Sequence, residues 1–324
     1  MRGGSARSWR STTSVPSEGG VVNENDIVQR VTVNVLRRLE PSGRSSLVEE
    51  FERFTREGDR TDDPSCAFCS GRGECARRRP VTIRRIVAAG ACRVAQRFPG
   101  GPVEGDLATC IDHTLLRPEA TYEHVAQLCR EAAENHFASV CINPAHVAAC
   151  AGMLRGTGVA VCTVVGFPLG ATTPEVKAFE ARQAIAHGAS EIDMVIHVGA
   201  LKSHDFAAVH ADIAGVAREC GSNALLKVII EAALLEDEEK VQACTIARLA
   251  GADFVKTSTG FGPGGATLHD VDLMRRTVGD ELGVKAAGGI RDRQTAEQMI
   301  AAGADRIGAS ASVKIVRETG ASRP

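Results

Sequence analysis

From about residue 110 onward, short apolar runs alternate with stretches in which apolar residues recur every three or four positions. Short apolar runs are typical of buried strands, and the longer period is typical of helices that pack on one face. The alternation predicts βα units and a parallel sheet. The predicted strands are Cys110–Leu116, Ser139–Asn143, Ala160–Phe167, Glu191–Val198, Leu225–Glu231, Phe254–Ser258, Gly283–Ala287 and Arg306–Ala309.

Helices are predicted in the intervals between these strands. They span Tyr122–Asn135, Ala145–Leu154, Thr173–Ala186, Phe206–Glu219, Asp237–Ala250, Asp270–Thr277 and Thr295–Ala302, with a last helix after Ala309. Eight strand–helix units in roughly 210 residues favour an α/β fold of the (β/α)₈ TIM-barrel class. A doubly wound sheet is the alternative.

The chain before the barrel divides into two further segments. Residues 1–22 are rich in Ser, Arg and Gly, which predicts a disordered leader. Residues 23–107 form an N-terminal extension, and the barrel domain covers residues 108–324. In the extension, Ile27, Val31, Val35 and Leu39 fall four positions apart and predict a helix with an apolar stripe. Either this helix docks on the barrel, or it resembles the short terminal helices that load enzymes into bacterial microcompartment shells.

A cysteine-rich segment follows in the extension. Cys66 and Cys69 have the spacing of a zinc knuckle, and Cys75 lies nearby. A closed tetrahedral site needs a fourth ligand, which Cys92 or a partner chain would have to supply. Incidental thiols in a flexible segment are the alternative, and a further helix is predicted over Ile83–Phe98.

Composition excludes several classes of function. The net charge of −2 and the single Trp and single Tyr argue against a nucleic-acid partner. No apolar run is long enough to span a membrane. Most of the eleven cysteines are interpreted as reduced core residues of a cytoplasmic protein.

Three lysines lie inside apolar runs, one in each of three consecutive predicted strands: Lys227, Lys256 and Lys285. An unpaired buried ammonium costs several kcal/mol, and clustered amines depress one another's pKa, which turns an amine into a nucleophile. In a barrel the active site lies at the carboxyl ends of the strands. Asp193 lies in the predicted fourth strand, where it can pair with a lysine or relay a proton.

Two other residues of the predicted strands are candidates to line the same site. Asp112 can hold Lys227 or a backbone amide, and Cys141 lies in the second strand.

Glycine-rich turns follow the predicted sixth, seventh and eighth strands. Gly260, Gly288 and Gly289 leave backbone amides free of Cβ obstruction, and Ser310 opens the last helix. Such turns can cradle a phosphate group.

The region from about Cys110 to about Val316 resembles the deoxyribose-phosphate aldolase family, which consists of class I barrel aldolases. The resemblance is carried by the motifs Ile111–Leu115, Val161–Gly170, Glu191–Met194, Leu226–Glu231, Asp253–Gly260, Val284–Arg291 and Arg306–Ser310. It implies that Lys256 forms a Schiff base, that Lys285 lowers the pKa of Lys256 and takes part in the proton relay, and that Asp193 relays protons through a water. It also implies that Gly260, Gly288, Gly289 and Ser310 bind the substrate phosphate. After the residue that matches Ser310, many members carry a second hydroxyl residue, whereas this chain has Ala311.

The implied reaction is reversible cleavage of 2-deoxy-D-ribose 5-phosphate to D-glyceraldehyde 3-phosphate and acetaldehyde. No metal or organic cofactor is expected in the barrel, and a homo-oligomer, most simply a dimer, is expected. One alternative is another Schiff-base barrel aldolase, such as a transaldolase-like enzyme. A second is a non-catalytic phosphate-binding barrel that serves as scaffold or shell cargo, although a scaffold gains nothing from buried amines.

Overall fold

The computed structural model describes residues 24–39 and 107–318. Eight parallel strands close into one barrel in chain order, with β8 pairing with β1. The TIM-barrel prediction is therefore confirmed. The strands are β1 Ile111–Leu115, β2 Ser139–Ile142, β3 Ala160–Val165, β4 Glu191–Val195, β5 Leu225–Ile229, β6 Phe254–Lys256, β7 Gly283–Ala287 and β8 Arg306–Ala309.

Helices surround the barrel. They are α1 Glu24–Leu39, α2 Tyr122–Glu134, α3 Val147–Met153, α4 Pro174–Ala186, α5 Val198–Lys202, α6 Phe206–Cys220, α7 Asp237–Leu249, α8 Leu268–Val278, α9 Arg293–Ala302 and α10 Ser312–Arg317. None of the helices in the described ranges is long and apolar enough to cross a bilayer.

The boundaries of the helices follow local capping chemistry. Thr121, Asp205, Thr267 and Asp292 each accept a backbone N–H at a helix start, as side chains at N-cap positions do. The short helix α5 lies where the fourth strand was expected to end. The His197 ring accepts the N–H of Ala200, which ends the extended run and starts the helix.

Alternate residues of each strand divide the core into two layers. In β4, Ile192 and Met194 belong to the apolar layer shared with the surrounding helices. Glu191 and Asp193 occupy the opposite face, because successive side chains of a strand point to opposite sides. The barrel interior therefore receives the charged residues of the strands.

Helix α1 packs against α7, with further contacts to α6 and α8. Val31, Val35 and Leu36 are buried in this packing, and Thr32 lies against Thr245 of α7. Of the two alternatives for this helix, docking on the barrel is therefore confirmed, because the outer surface of α7 covers Val31 and Val35. The disordered leader, the cysteine-rich segment with Cys66, Cys69 and Cys75, and the predicted helix Ile83–Phe98 lie outside the described residues.

Candidate active site

Most of the polar residues predicted for the site converge in the barrel interior. Strand register places Lys256 opposite Lys285, and Asp193 opposite Lys227. The fully or almost fully buried polar side chains of this interior are Asp112, Cys141, Cys162, Glu191, Asp193, Lys227, Lys256, Lys285 and Arg306.

Asp193 lies at the centre of this cluster. Its Oδ2 accepts hydrogen bonds from Lys256 Nζ at 2.8 Å and Lys285 Nζ at 2.7 Å. Its Oδ1 accepts from Lys227 Nζ at 2.9 Å and from the Cys162 thiol at 3.2 Å. One carboxylate therefore joins all three lysines.

Further charged residues of the interior contact two of these lysines. Lys285 Nζ lies 2.6 Å from Asp112 Oδ2, and Lys227 Nζ lies 2.6 Å from Glu191 Oε2. Arg306 bridges both acids, with Nε 2.8 Å from Asp112 Oδ1 and Nη2 3.0 Å from Glu191. Asp112 lies 3.9 Å from Lys227, as suggested, but its shorter pairs are with Lys285 and Arg306.

Gly308 makes room for this arrangement. A Cβ at this position would lie 3.1 Å from Lys285 Cε and 3.0 Å from Ala287 Cβ. The small residue in β8 therefore lets the Lys285 side chain cross the barrel to Asp112.

The charges of this network do not balance when every group is ionised. Four basic groups (Lys227, Lys256, Lys285 and Arg306) contact three acidic groups (Asp112, Glu191 and Asp193). Among the described residues, Lys256 contacts one carboxylate, whereas each of the other three bases contacts at least two. Uncompensated buried charge is costly. Lys256 is thus the basic group of this network that contacts the fewest carboxylates.

The other charged groups are kept ionised by their neighbours. Burial opposes the charge of Asp193, but Lys227, Lys256 and Lys285 outweigh burial and hold its pKa well below the ordinary value. Burial also opposes the charge of Lys285, and the carboxylates of Asp112 and Asp193 outweigh it and raise its pKa. Opposite charges at this distance favour the charged forms. Lys285 therefore presents a permanent positive charge beside Lys256.

Cys141 lies in the interior as predicted, next to Cys162 in the register of β2 and β3. The sulfur atoms of both and an oxygen of Asp193 lie within 4.8 Å of one another. This is the spacing of metal ligands, but both Asp193 oxygens already accept ammonium groups. The cluster therefore belongs to the lysine network.

The glycine turns lie at the carboxyl ends of the strands, as expected. Gly260, Gly288 and Gly289 all have positive φ, a conformation that glycine adopts without strain. Thr257 joins two of these strand ends, donating to the Ala287 carbonyl and accepting its N–H, both at 3.0 Å. Ser310 follows β8 at the same rim. The four predicted phosphate-binding residues therefore lie on one face of the barrel.

A small cavity opens at the same end of the barrel. It has a volume of about 120 Å³ and is lined by Pro168, Leu169, Val195, Val198, Glu231, Leu234, Thr259, Phe261 and Gly262. Glu231 has a φ of 53°, unusual for a residue with a Cβ, and accepts hydrogen bonds from the Thr259 hydroxyl and N–H. It thereby fixes the start of the loop that carries Gly260.

Three residues of the interior network were not predicted from the sequence: Glu191, Arg306 and Cys162. Glu191 and Arg306 were detectable, because each is a charged residue at an interior-facing position of a predicted strand. Nothing in the sequence distinguished Cys162 from the other cysteines that lie in apolar runs.

Comparison with known proteins places this barrel in a family. Residues 105–322 match the model of the DeoC/LacD family of aldolases. A Clostridium tetani protein named deoxyribose-phosphate aldolase is 59% identical over 209 residues, which cover 64% of this chain and 97% of that protein. A Geobacillus protein of the same name is 59% identical over 214 residues, which cover 66% and 96%.

Solved structures agree with the sequence relatives. The aldolase QR15 is 40% identical with a TM-score of 0.63, and the match covers 65% of this chain and 94% of that one. The tetrameric deoxyribose-phosphate aldolase of Aeropyrum pernix is 35% identical with a TM-score of 0.61, over 74% and 96% of the two chains. The chain therefore belongs to the DeoC/LacD family of aldolases.

Proposed function

We propose that this protein catalyses the reversible cleavage of 2-deoxy-D-ribose 5-phosphate to D-glyceraldehyde 3-phosphate and acetaldehyde. The observation that carries the proposal is Lys256, a buried amine that contacts one carboxylate and lies beside a permanently charged lysine. Curated relatives at 59% identity carry the name of this activity. An amine in its neutral form is suited to attack a carbonyl group.

The chemistry begins at Lys256 Nζ. The neutral amine adds to the C1 aldehyde of the open-chain sugar, and loss of water leaves a protonated imine. The C2–C3 bond then breaks, its electron pair moves toward the imine nitrogen, and the C3 hydroxyl loses its proton as the new aldehyde forms. Protonation of the enamine at C2 and hydrolysis release acetaldehyde and restore the amine.

Asp193 is the group placed to move protons in these steps. Its Oδ2 contacts both Lys256 and Lys285, so it can pass a proton between the amine and a bound water. Lys285 stays charged and favours the neutral form of Lys256. Lys227 and Asp112 hold this pair in place through their own contacts.

We place the substrate phosphate at Gly260, Gly288, Gly289 and Ser310. Their positive-φ turns and the end of β8 share the rim of the barrel. Backbone N–H groups of such turns bind phosphate oxygens. Ala311 offers no hydroxyl here, so a backbone amide has to take the corresponding hydrogen bond.

Trapping of the Schiff base tests this proposal. Acetaldehyde and sodium borohydride should reduce the imine to a stable secondary amine, which peptide mapping should locate on Lys256. Lys256→Ala should abolish both trapping and turnover. Lys177→Ala serves as a control, because Lys177 is also buried and paired, but with Asp212 outside the barrel interior. An adduct on Lys227 or Lys285 contradicts the assignment, and a missing adduct in the wild type favours the non-catalytic scaffold.

The carbonyl compound that forms the enamine distinguishes the proposed reaction from the transaldolase-like alternative. A deoxyribose-phosphate aldolase forms its enamine from acetaldehyde, whereas a transaldolase-like enzyme transfers a ketone-derived unit. Trapping with acetaldehyde but not with dihydroxyacetone supports the proposed reaction.

We infer that the chain comprises a leader (1–22), an extension (23–107) and the barrel (108–324), and that it forms a homo-oligomer. The tetramer of the Aeropyrum pernix relative and the exposed apolar side chains of Val176 and Phe179 support assembly. Light scattering on the full chain measures the assembly state.

Microcompartment docking through Ile27–Leu39 remains a prediction. Because Val31 and Val35 are buried against the barrel, docking to a shell would require α1 to detach. A fluorescent protein that carries residues 20–42 should co-localise with a shell if the prediction is right. Diffuse fluorescence leaves barrel packing as the role of α1.

A further inference from the structure

Cys162 carries a buried thiol to which the proposed chemistry gives no role. It lies in β3, and its side chain faces the barrel interior beside Cys141. Its thiol donates to Asp193 Oδ1 at 3.2 Å, and its sulfur accepts from Lys227 Nζ at 3.3 Å. The sulfur therefore lies at the junction of the acid and one of its lysines.

The two oxygens of Asp193 have different neighbours. Oδ1 contacts Lys227 and Cys162, and Oδ2 contacts Lys256 and Lys285. Only Oδ2 therefore faces the proposed nucleophile. A carboxylate can rotate about its terminal torsion, which has a broad energy well, so this division depends on groups that fix Oδ1.

The chemical state of the thiol suits a donor. Burial and the Asp193 carboxylate raise the pKa of Cys162 well above the ordinary thiol value, so the sulfur keeps its proton. A thiolate there would repel the carboxylate instead of binding it. Cys141 also lies within reach of this S–H, but a charged carboxylate is the stronger acceptor.

We propose that Cys162 is a positioning residue, whose thiol holds Asp193 Oδ1 so that Oδ2 stays between Lys256 and Lys285. The inference rests on the proposed function, because it assigns Cys162 to the proton-transfer steps of that reaction. Lys227 contacts the same oxygen from another direction and carries the charge that balances the carboxylate. The neutral thiol of Cys162 therefore contributes to the orientation of the carboxylate and not to its charge. Removal of the thiol should slow proton transfer without weakening substrate binding.

The test compares Cys162→Ala with Cys162→Ser. The alanine variant lacks the donor, and we expect a fall in kcat of roughly tenfold with little change in KM, about what one hydrogen bond to a charged group supplies. The serine variant keeps a donor of similar size and should recover most of the lost rate. Cys244→Ala is the matched control, because Cys244 is equally buried in α7 but lies outside the interior network.

A second measurement isolates the proton-transfer step. Acetaldehyde alone, incubated with the enzyme in D₂O, should exchange its methyl protons through the enamine, and NMR follows the rate. Cys162→Ala should slow this exchange as much as it slows turnover, while borohydride should still trap the imine on Lys256.

Three results overturn the inference. One is an alanine variant with wild-type kcat and exchange rate. Another is a serine variant as impaired as the alanine variant, since packing would then explain the loss. The third is a wild-type enzyme without a borohydride adduct, which overturns the proposed function and the positioning role together, whereas the first two leave the proposed function intact.

Discussion

Replacement of Lys285 by methionine tests how the site makes Lys256 reactive. Lys256 Nζ and Lys285 Nζ lie 2.8 Å and 2.7 Å from the same oxygen of Asp193, so the two nitrogens can be no farther apart than the sum, 5.5 Å. At an effective dielectric constant of about 20, two unit charges at that distance repel by about 3 kcal/mol. This energy corresponds to roughly two pH units.

Lys285→Met should therefore strengthen the hold of Lys256 on its proton. The acid limb of the profile of kcat/KM against pH should move up by about two units, and the rate near neutrality should fall by roughly 100-fold. The lost rate should return by about tenfold for each unit of added pH. The barrel should stay folded, because three basic groups would then face three acidic groups in the interior.

The assay is the rate of cleavage of 2-deoxyribose 5-phosphate, coupled to reduction of the aldehyde product, over the pH range in which circular dichroism shows a folded protein. Lys177→Met is the control, since it removes another buried lysine that contacts Asp212 and not Asp193. The control should leave the acid limb unchanged. An equal loss of rate for Lys285→Met at every pH would refute the reasoning, because Lys285 would then act without setting the charge of Lys256.

Three further predictions concern binding and stability. Gly289→Asp should raise KM for the phosphorylated sugar steeply but affect free deoxyribose less, whereas Gly279→Asp, also at a positive-φ glycine but at the end of α8, should affect neither. Val35→Asp should detach α1 and lower the free energy of unfolding, measured by urea denaturation, by about 2 kcal/mol. Asn34→Asp, on the exposed side of the same helix, should leave it unchanged. Equal losses for the two variants would mean that the packing of α1 contributes nothing to stability. Arg306, Lys285 and Lys227 outweigh the effect of burial and lower the pKa of Asp112 in the folded protein. The ionised Asp112 carboxylate therefore stabilises the fold above about pH 4, and this stabilisation is lost progressively in stronger acid. Asp112→Asn should therefore be less stable at neutral pH and should lose less further stability on acidification, and parallel curves for the two proteins would contradict this.

Much of the barrel was predictable because periodicity encodes it directly. The limits of β7 and β8 match the predicted strands residue for residue. Each of the three lysines also lies on the strand predicted for it. Predicted strands such as Glu191–Val198 ran too far, because the apolar pattern continues past the last pair of the β ladder. Sequence period does not encode where a ladder ends.

Pairing across the barrel was beyond the sequence. Periodicity shows that Arg306 and Asp112 face inward, but their contact across 194 positions depends on how strand stagger closes the sheet. The location of α1 was equally undetermined. An amphipathic helix has the same pattern whether its stripe meets the barrel or a partner.

The ion network also ties the interior cluster to the closure of the barrel. Asp112 comes from the first strand and Glu191 from the fourth, yet both contact Arg306 from the last. A chain that lacks β8 would leave each acid without one of its buried ion pairs, and breaking a buried ion pair is costly. We therefore expect the interior network to be complete only when β8 pairs with β1 and closes the barrel.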